Sequence, residues 1–381
     1  MHRMPFVVAA VCVLLGGCGE TAAQPAPVPA TERPLLGAPD LAGPTHRGVF
    51  LEDPKGQVER IAAGGHFVAW SIRTPADKRH GGYDDVEPKT LPRASKVVVA
   101  DERTGTTLSV DLGRRWVSTL RMIRGAGGPA EPQLAIESCR TLEPSSCTAE
   151  LLTLTPEPPL RVTARTRGAA AEAAVDGRLD SGRVLGVASR GKCSARLTVR
   201  EVDGRTRTLP ALPARDPQYR RCRGLNGWMI HGRYAFASVR REDPRHNLEA
   251  DFFYALDLSA AAPRWAEVAR PYNGTDGGAA LDIGPGLTDG ALYWETYDSV
   301  EERIYSLTQV ALPRDIETEA TAATPNQSEP IAPDKGGACD IAATDAALYE
   351  LANPRCALDY GEGSRGEIRR LVNPEFRPQE G

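Results

Sequence analysis

Short apolar runs of strand length recur along the chain, each followed by a polar loop and a second run. Ala63–Trp70 reads AGGHFVAW, Glu131–Ser138 EPQLAIES, Asp180–Val187 DSGRVLGV, Ile230–Ala237 IHGRYAFA, Leu287–Trp294 LTDGALYW and Ala343–Glu350 ATDAALYE. Each sets a turn residue and a Gly or Ala ahead of the apolar run, with Pro132 taking the turn position in the second. The marker positions 65, 132, 182, 232, 290 and 346 lie on average about 56 residues apart. The second runs include KVVVADERTGTTLSVDL, ARLTVREVDGRTRTLPAL, DFFYALDLSAAAPRWAEV and GEIRRLVN. Val, Ile, Thr, Tyr and Phe concentrate in them, and no long stripe of period 3.6 occurs. Asp203-Gly204 marks a two-residue hairpin turn. Repeats of roughly 40–60 residues with about four strands each are the signature of a propeller blade. The expected fold is therefore all-β, a six-bladed β-propeller of four-stranded antiparallel blades over 46–381. A two-domain β-sandwich is the alternative. Gly48-Val49-Phe50-Leu51-Glu52 is a candidate strand to complete the last blade.

The N-terminus departs from this pattern. Phe6–Leu15 is an apolar run preceded by Arg3 and too short to cross a bilayer, which takes roughly 20 residues. It ends in Leu15-Gly16-Gly17-Cys18, which resembles the lipobox of bacterial lipoproteins. That resemblance implies a signal peptide over 1–17, removal of the leader and lipidation of Cys18. Residues 18–45, rich in Ala and Pro and without periodicity, read as a disordered tether. The implied location is the bacterial cell membrane, lipid-anchored on the extracytoplasmic side, in the periplasm or at the cell surface.

The repeat itself resembles six-bladed propellers of the TolB type, built from WD40-like PD40 repeats. Those carry a turn plus Gly, a strand, a variable loop and a strand ending in Asp before another turn. Gly65-His66-Phe67, Val99-Ala100-Asp101 and Thr104-Gly105 match best. The helical N-terminal domain that accompanies the propeller in TolB is not expected here. Nor is a hydrolase domain of the prolyl-oligopeptidase kind.

Charge narrows the partners. The formal net charge is −4, and nearly all of the 46 basic residues are Arg, only Lys55, Lys78, Lys89, Lys96, Lys192 and Lys335 being lysine. A mildly acidic chain lacks the basic face of a nucleic-acid binder or of a polybasic membrane patch, so no nucleic acid is expected. Six cysteines follow Cys18: Cys139, Cys147, Cys193, Cys222, Cys339 and Cys356. An even set in an exported chain suggests disulfides, and neighbour pairing is the simplest of the possible patterns. Metal ligation would want closer spacing. In the propeller all six fall in B–C loops or blade crossings on one face, the top.

Candidate chemistry is sparse. His66 and His231 sit at repeat turns and are expected to be structural. Asp276, Asp282 and Asp289 could supply oxygens to calcium, although aspartates beside glycine are more often turn formers; no other cofactor is expected. Gly361-Glu362-Gly363-Ser364-Arg365-Gly366 matches GxGxxG but lacks the following helix, and Glu362–Gly366 fails as a nucleophile elbow for the same reason. Asn273-Gly274-Thr275 and Asn326-Gln327-Ser328 fit the glycosylation pattern by chance. The long B–C loops are Arg73–Ser95 in blade one and Arg240–Asp251 in blade four. They nominate Arg79, His80, Tyr83, Asp84, Asp85, Arg240, Arg241 and His246 as ligand-contact residues. These features point to a monomeric, non-enzymatic binding protein whose top face contacts an envelope protein, peptide or glycan. The alternative is an enzyme, a calcium-dependent hydrolase or lactonase or a quinoprotein dehydrogenase on the same scaffold.

Overall fold

In Phe67–Thr74 both odd and even positions are apolar, so a strand formed there has two faces to bury. The computed structural model buries both. It describes residues 41–42, 47–48, 57–74, 92, 94–141, 143–189, 195–213, 219–243, 245, 248–269, 272–273, 286–287, 291–298, 304–311, 333–334, 338–344, 348–352 and 367–371. Gln57–Gly64, Phe67–Thr74, Ala94–Asp101 and Thr107–Gly113 form a first antiparallel sheet in chain order. Trp116–Gly125, Gly128–Cys139, Cys147–Leu154 and Val162–Arg167 form the second. Leu179–Asp180, Arg183–Ser189, Arg196–Arg200 and Thr206–Thr208 form the third. In the fourth, Arg221–His231, Tyr234–Asp243, Leu248–Asp257 and Ala266–Ala269 are joined by Tyr272–Asn273, which pairs with the third strand. Gly286–Leu287, Ala291–Asp298, Ile304–Ala311 and Pro333–Asp334 make the fifth; Ala338–Ala343, Leu348–Ala352 and Glu367–Leu371 make a three-stranded sixth.

The period-2 alternation decides how the sheets stack. Phe67, Ala69, Val97 and Val99 pack with Leu134, Ile136, Leu152 and Leu154 of the second sheet. The intervening Val68, Trp70, Ile72 and Ala100 pack with Ala342, Tyr349 and Leu351 of the sixth. Ala135 and Leu151 turn the other way, onto Leu179 and a short helix, Ala169–Val175. Leu185, Leu197 and Val199 face Ala235, Ala237, Phe252 and Leu256 of the fourth sheet. First strands of successive sheets lie side by side. Gln57–Gly64 runs beside Trp116–Gly125, Leu179–Asp180 beside both Trp116–Gly125 and Arg221–His231, and Ala338–Ala343 beside both Gln57–Gly64 and Gly286–Leu287. Glycine permits one of these approaches: a Cβ added at Gly64 would meet Met122 Cβ at 3.1 Å. Meandering sheets stacked face to face, first strands innermost and the last sheet packed on the first, make a β-propeller. Burying a Leu, Ile, Val or Phe side chain contributes about 1.5–3 kcal/mol, so these inter-sheet faces are the main source of stability.

Several local expectations need correction. Pro132 is not at a turn: it lies in Gly128–Cys139 opposite Arg124, and the turn is Ala126-Gly127, with Gly128 at φ 71°. The register slips between Arg124 and Gly125, and proline is tolerated at such irregularities because no ladder donor is missed there. The hairpin at Asp203-Gly204 has a three-residue loop, closed by Glu201 N–H donating to Arg205 O at 2.8 Å, with Gly204 at φ 84°. The segment Arg240–Asp251 is mostly ladder rather than loop, since Arg240 pairs with Asp251 and Asp243 with Leu248. Cys222 and Cys339 lie within first strands rather than in crossings. The helix Ala169–Val175 was not expected. Arg47–Gly48 pairs with Leu41–Ala42 and lies beside Glu367–Leu371, while 49–52 are outside the described residues. No helix among the described residues is long and apolar enough to cross a membrane.

Candidate functional site

Two strand ends build one polar edge of the molecule. In the second sheet, Cys139 ends one strand, Cys147 begins the next, and the two are disulfide-bonded. The bridge closes the base of the intervening loop, which is ordered from within. Ser146 Oγ donates to Thr141 O at 3.0 Å and Glu143 O at 2.8 Å, and accepts from Thr141 N–H at 2.9 Å. Trp116 Nε1–H donates to Thr141 O at 3.1 Å. Cys222 of the fourth sheet is disulfide-bonded as well.

In the fourth sheet Arg221 and Cys222 pair with Glu242 and Arg241, near the same strand ends as the turn after Asp243. Glu242 is 8% exposed and takes two guanidinium partners: Arg223 donates to Oε1, and Arg221 Nε lies 3.6 Å from Oε2. The Arg221 and Arg223 side chains are 64% and 53% exposed, so this buried carboxylate fixes two cations that face solvent. Arg241 is different. It is 1% exposed, donates to Pro213 O and stands 5.3 Å from the Phe252 ring, so it ties the 211–213 segment to the sheet instead of meeting solvent. Arg240 is half-buried in the same strand. Arg240 and Arg241 thus share a strand near this edge, but the burial of Arg241 removes it from the ligand-contact residues expected there, and the exposed guanidinium groups are those of Arg221 and Arg223, which the sequence reading passed over. Their signal was the alternation Arg221-Cys222-Arg223 opposite Glu242, legible only once the pairing is known. Arg79, His80, Tyr83, Asp84, Asp85 and His246 lie outside the described residues, as do Cys18, Cys193, Cys356, Asp276, Asp282, Asp289 and 361–366.

The opposite ends of the strands carry a second polar set. An open concavity of about 630 Å³ is lined by Arg183, Glu201, Asp203, Arg205, Arg207 and Leu258, among others. Glu201 accepts from Arg183 Nε at 2.8 Å and from Arg207 Nε at 2.9 Å, and Arg207 also donates to Leu258 O at 2.6 Å. The Arg205 N–H first, and its guanidinium second, hold the Asp203 carboxyl below the usual aspartate value. His66 Nε2 lies 3.9 Å from Asp101 and His231 Nδ1 lies 3.8 Å from Asp180, both at repeat turns. One group of metal-capable side chains occurs among the described residues: Glu137, Cys139 and Cys147, two of which are bonded to each other.

No protein-family model matches the chain, and no curated protein matches it in sequence. Among solved structures it is similar to the β-propeller domain of the Trilobed protease from Pyrococcus furiosus, at 10% identity and a TM-score of 0.37, over 83% of this chain and 95% of that one. It is also similar to the acylaminoacyl peptidase of Pyrococcus horikoshii (10% identity, TM-score 0.38, 84% of this chain), of which it spans 53%. A third is the GH32 β-fructofuranosidase BmSUC1 of Bombyx mori (10% identity, TM-score 0.32, covering 86% and 63%).

Proposed function

We propose that this chain is a lipid-anchored, extracytoplasmic six-bladed propeller of the TolB-like kind that binds a protein, peptide or surface polymer through its loop-bearing edge. The observation that carries this reading is the construction of that edge. A disulfide closes the loop of the second sheet, and a buried glutamate presents Arg221 and Arg223 to solvent in the fourth. Stiff loops lose little entropy on binding, so contact energy goes into affinity. Exposed guanidinium groups held in one orientation recognise carboxylate or phosphate in a bidentate manner, so an acidic segment of the partner is the part read here. The Leu15-Gly16-Gly17-Cys18 sequence supports the anchor.

The test is expression of the full chain in a bacterial envelope, with and without Cys18→Ala, followed by crosslinking to envelope components. The wild type is expected in the membrane fraction with an acylated Cys18, and Cys18→Ala in the soluble fraction. Arg221→Ala with Arg223→Ala should reduce the crosslinked product at least about tenfold, the cost of losing a charged contact. An unmodified Cys18, or capture indifferent to the arginines, removes the respective half of the proposal.

A further inference from the structure

Cys139 and Cys147 are direct register partners, flanked on one side by the pairs Ser138–Thr148 and Glu137–Ala149. That ladder, rather than the bridge alone, sets the distance between the two strands, so the sulfurs stay side by side when the bond opens. Glu137 precedes Cys139 by two residues and shares its face of the strand. A Glu137 carboxylate oxygen and the two Sγ atoms all lie within 4.8 Å of one another. Ser118 Oγ–H donates to Glu137 Oε2, and Ser118 Oγ stands 3.7 Å from Cys139 Sγ, which holds the carboxylate against the sulfurs. Cys139 is fully buried and Cys147 half-buried, so an incoming thiolate reaches the sulfur of Cys147.

We infer that Cys139, Cys147 and Glu137 form a redox-gated site for a thiophilic divalent cation of the zinc class. The reductant is a dithiol. One of its thiolates attacks Cys147 Sγ, the Cys139–Cys147 bond breaks, and Cys139 leaves as a thiolate beside the Ser118 hydroxyl. The second thiol of the reductant then displaces Cys147 from the mixed disulfide. The dithiol ends as a disulfide, two electrons pass to the pair, and the two protons go to the released sulfurs. Binding of the cation expels those protons to solvent and sets three negative ligands around two positive charges. Two thiolates suit a cation of this class, and a tetrahedral ion would keep one position for water or an outside ligand. In the bridged form neither sulfur is a thiolate, and the site is shut.

The experiment uses the full chain, treated with dithiothreitol, desalted without air and titrated with cobalt(II) as the spectroscopic probe. One equivalent of cobalt is expected to raise a sulfur-to-metal charge-transfer band in the near ultraviolet, absent before reduction. The double variant Cys139→Ser, Cys147→Ser should lack the band, and zinc should abolish it in the wild type by competition. Glu137→Gln, which keeps both thiols and the bridge, should weaken affinity by at least about tenfold; it carries the test if the double variant misfolds. Mass mapping of alkylated thiols should show this pair open after the dithiothreitol treatment. The proposal is overturned by a band surviving in the double variant, by reduced wild type that binds no cobalt, by unchanged affinity in Glu137→Gln, or by a pair that stays bonded in dithiothreitol.

Discussion

Asp180 shows how much one buried carboxylate can organise. It is 1% exposed, and its two oxygens accept from backbone groups of the sheets on either side: Arg124 N–H at 2.7 Å and the N–H of Gly232. Ser181 N–H adds a bond to Arg124 O at 2.7 Å. Three successive turns are thus stitched through one side chain. Removing it leaves two buried donors without an acceptor, each costing about 1–3 kcal/mol. Asp180→Ala is therefore expected to destabilise by about 3 kcal/mol, and Asp180→Asn, which keeps one acceptor, by less; urea unfolding checks both. Equal midpoints for Asp180→Ala and the parent would contradict the assignment. The sequence placed Asp180 at a turn, but that its acceptors serve neighbouring sheets depends on how close those turns come in space.

Strands and hairpins were the most legible elements. Runs such as FVAWSI and KVVVAD formed strands because their β-branched and aromatic residues fit a doubly covered sheet. Gly65, Gly182 and Gly232 stand at turns with φ of 60°, 70° and 54°, where the repeat markers put them. The marker at Pro132 misled because proline signals a turn locally, whereas Gly128 had the conformational freedom the turn needed. The helix Ala169–Val175 escaped because seven residues give too few periods to read; alanine richness was its one signal. The hairpin at Asp203 offers a test at this scale. Its carboxylate is held below the usual value by the Arg205 N–H and then by the guanidinium. A depressed carboxyl contributes stability that is present above the unfolded value and is lost as pH falls through the folded one. Asp203→Asn should accordingly melt below the wild type at neutral pH and converge with it in acid. A constant gap across the titration would show that the carboxylate is not the source.

At the scale of the whole molecule one contact joins the sixth sheet to the first. Tyr349 of the sixth sheet is fully buried among Val68, Trp70 and Leu351, and its hydroxyl donates to Glu102 Oε1 of the first. Tyr349→Phe keeps the ring and removes the bond, so it should cost about 1–2 kcal/mol. Because the contact spans the junction between last and first sheets, limited proteolysis should cut the variant faster than the wild type. An unchanged urea midpoint and cleavage rate would mean that this hydrogen bond does not help to hold the junction.

The sequence by itself determined the all-β character, the meandering repeat and the turns at Gly65, Gly182 and Gly232. These follow from local alternation and turn chemistry, which act over a few residues. Only the tertiary structure decided which face of each strand meets which neighbour, and that Glu242 gathers Arg221 and Arg223 beside Arg241. Those outcomes join residues far apart in the chain through register and stacking, and no local pattern encodes a register before the partner strand is known.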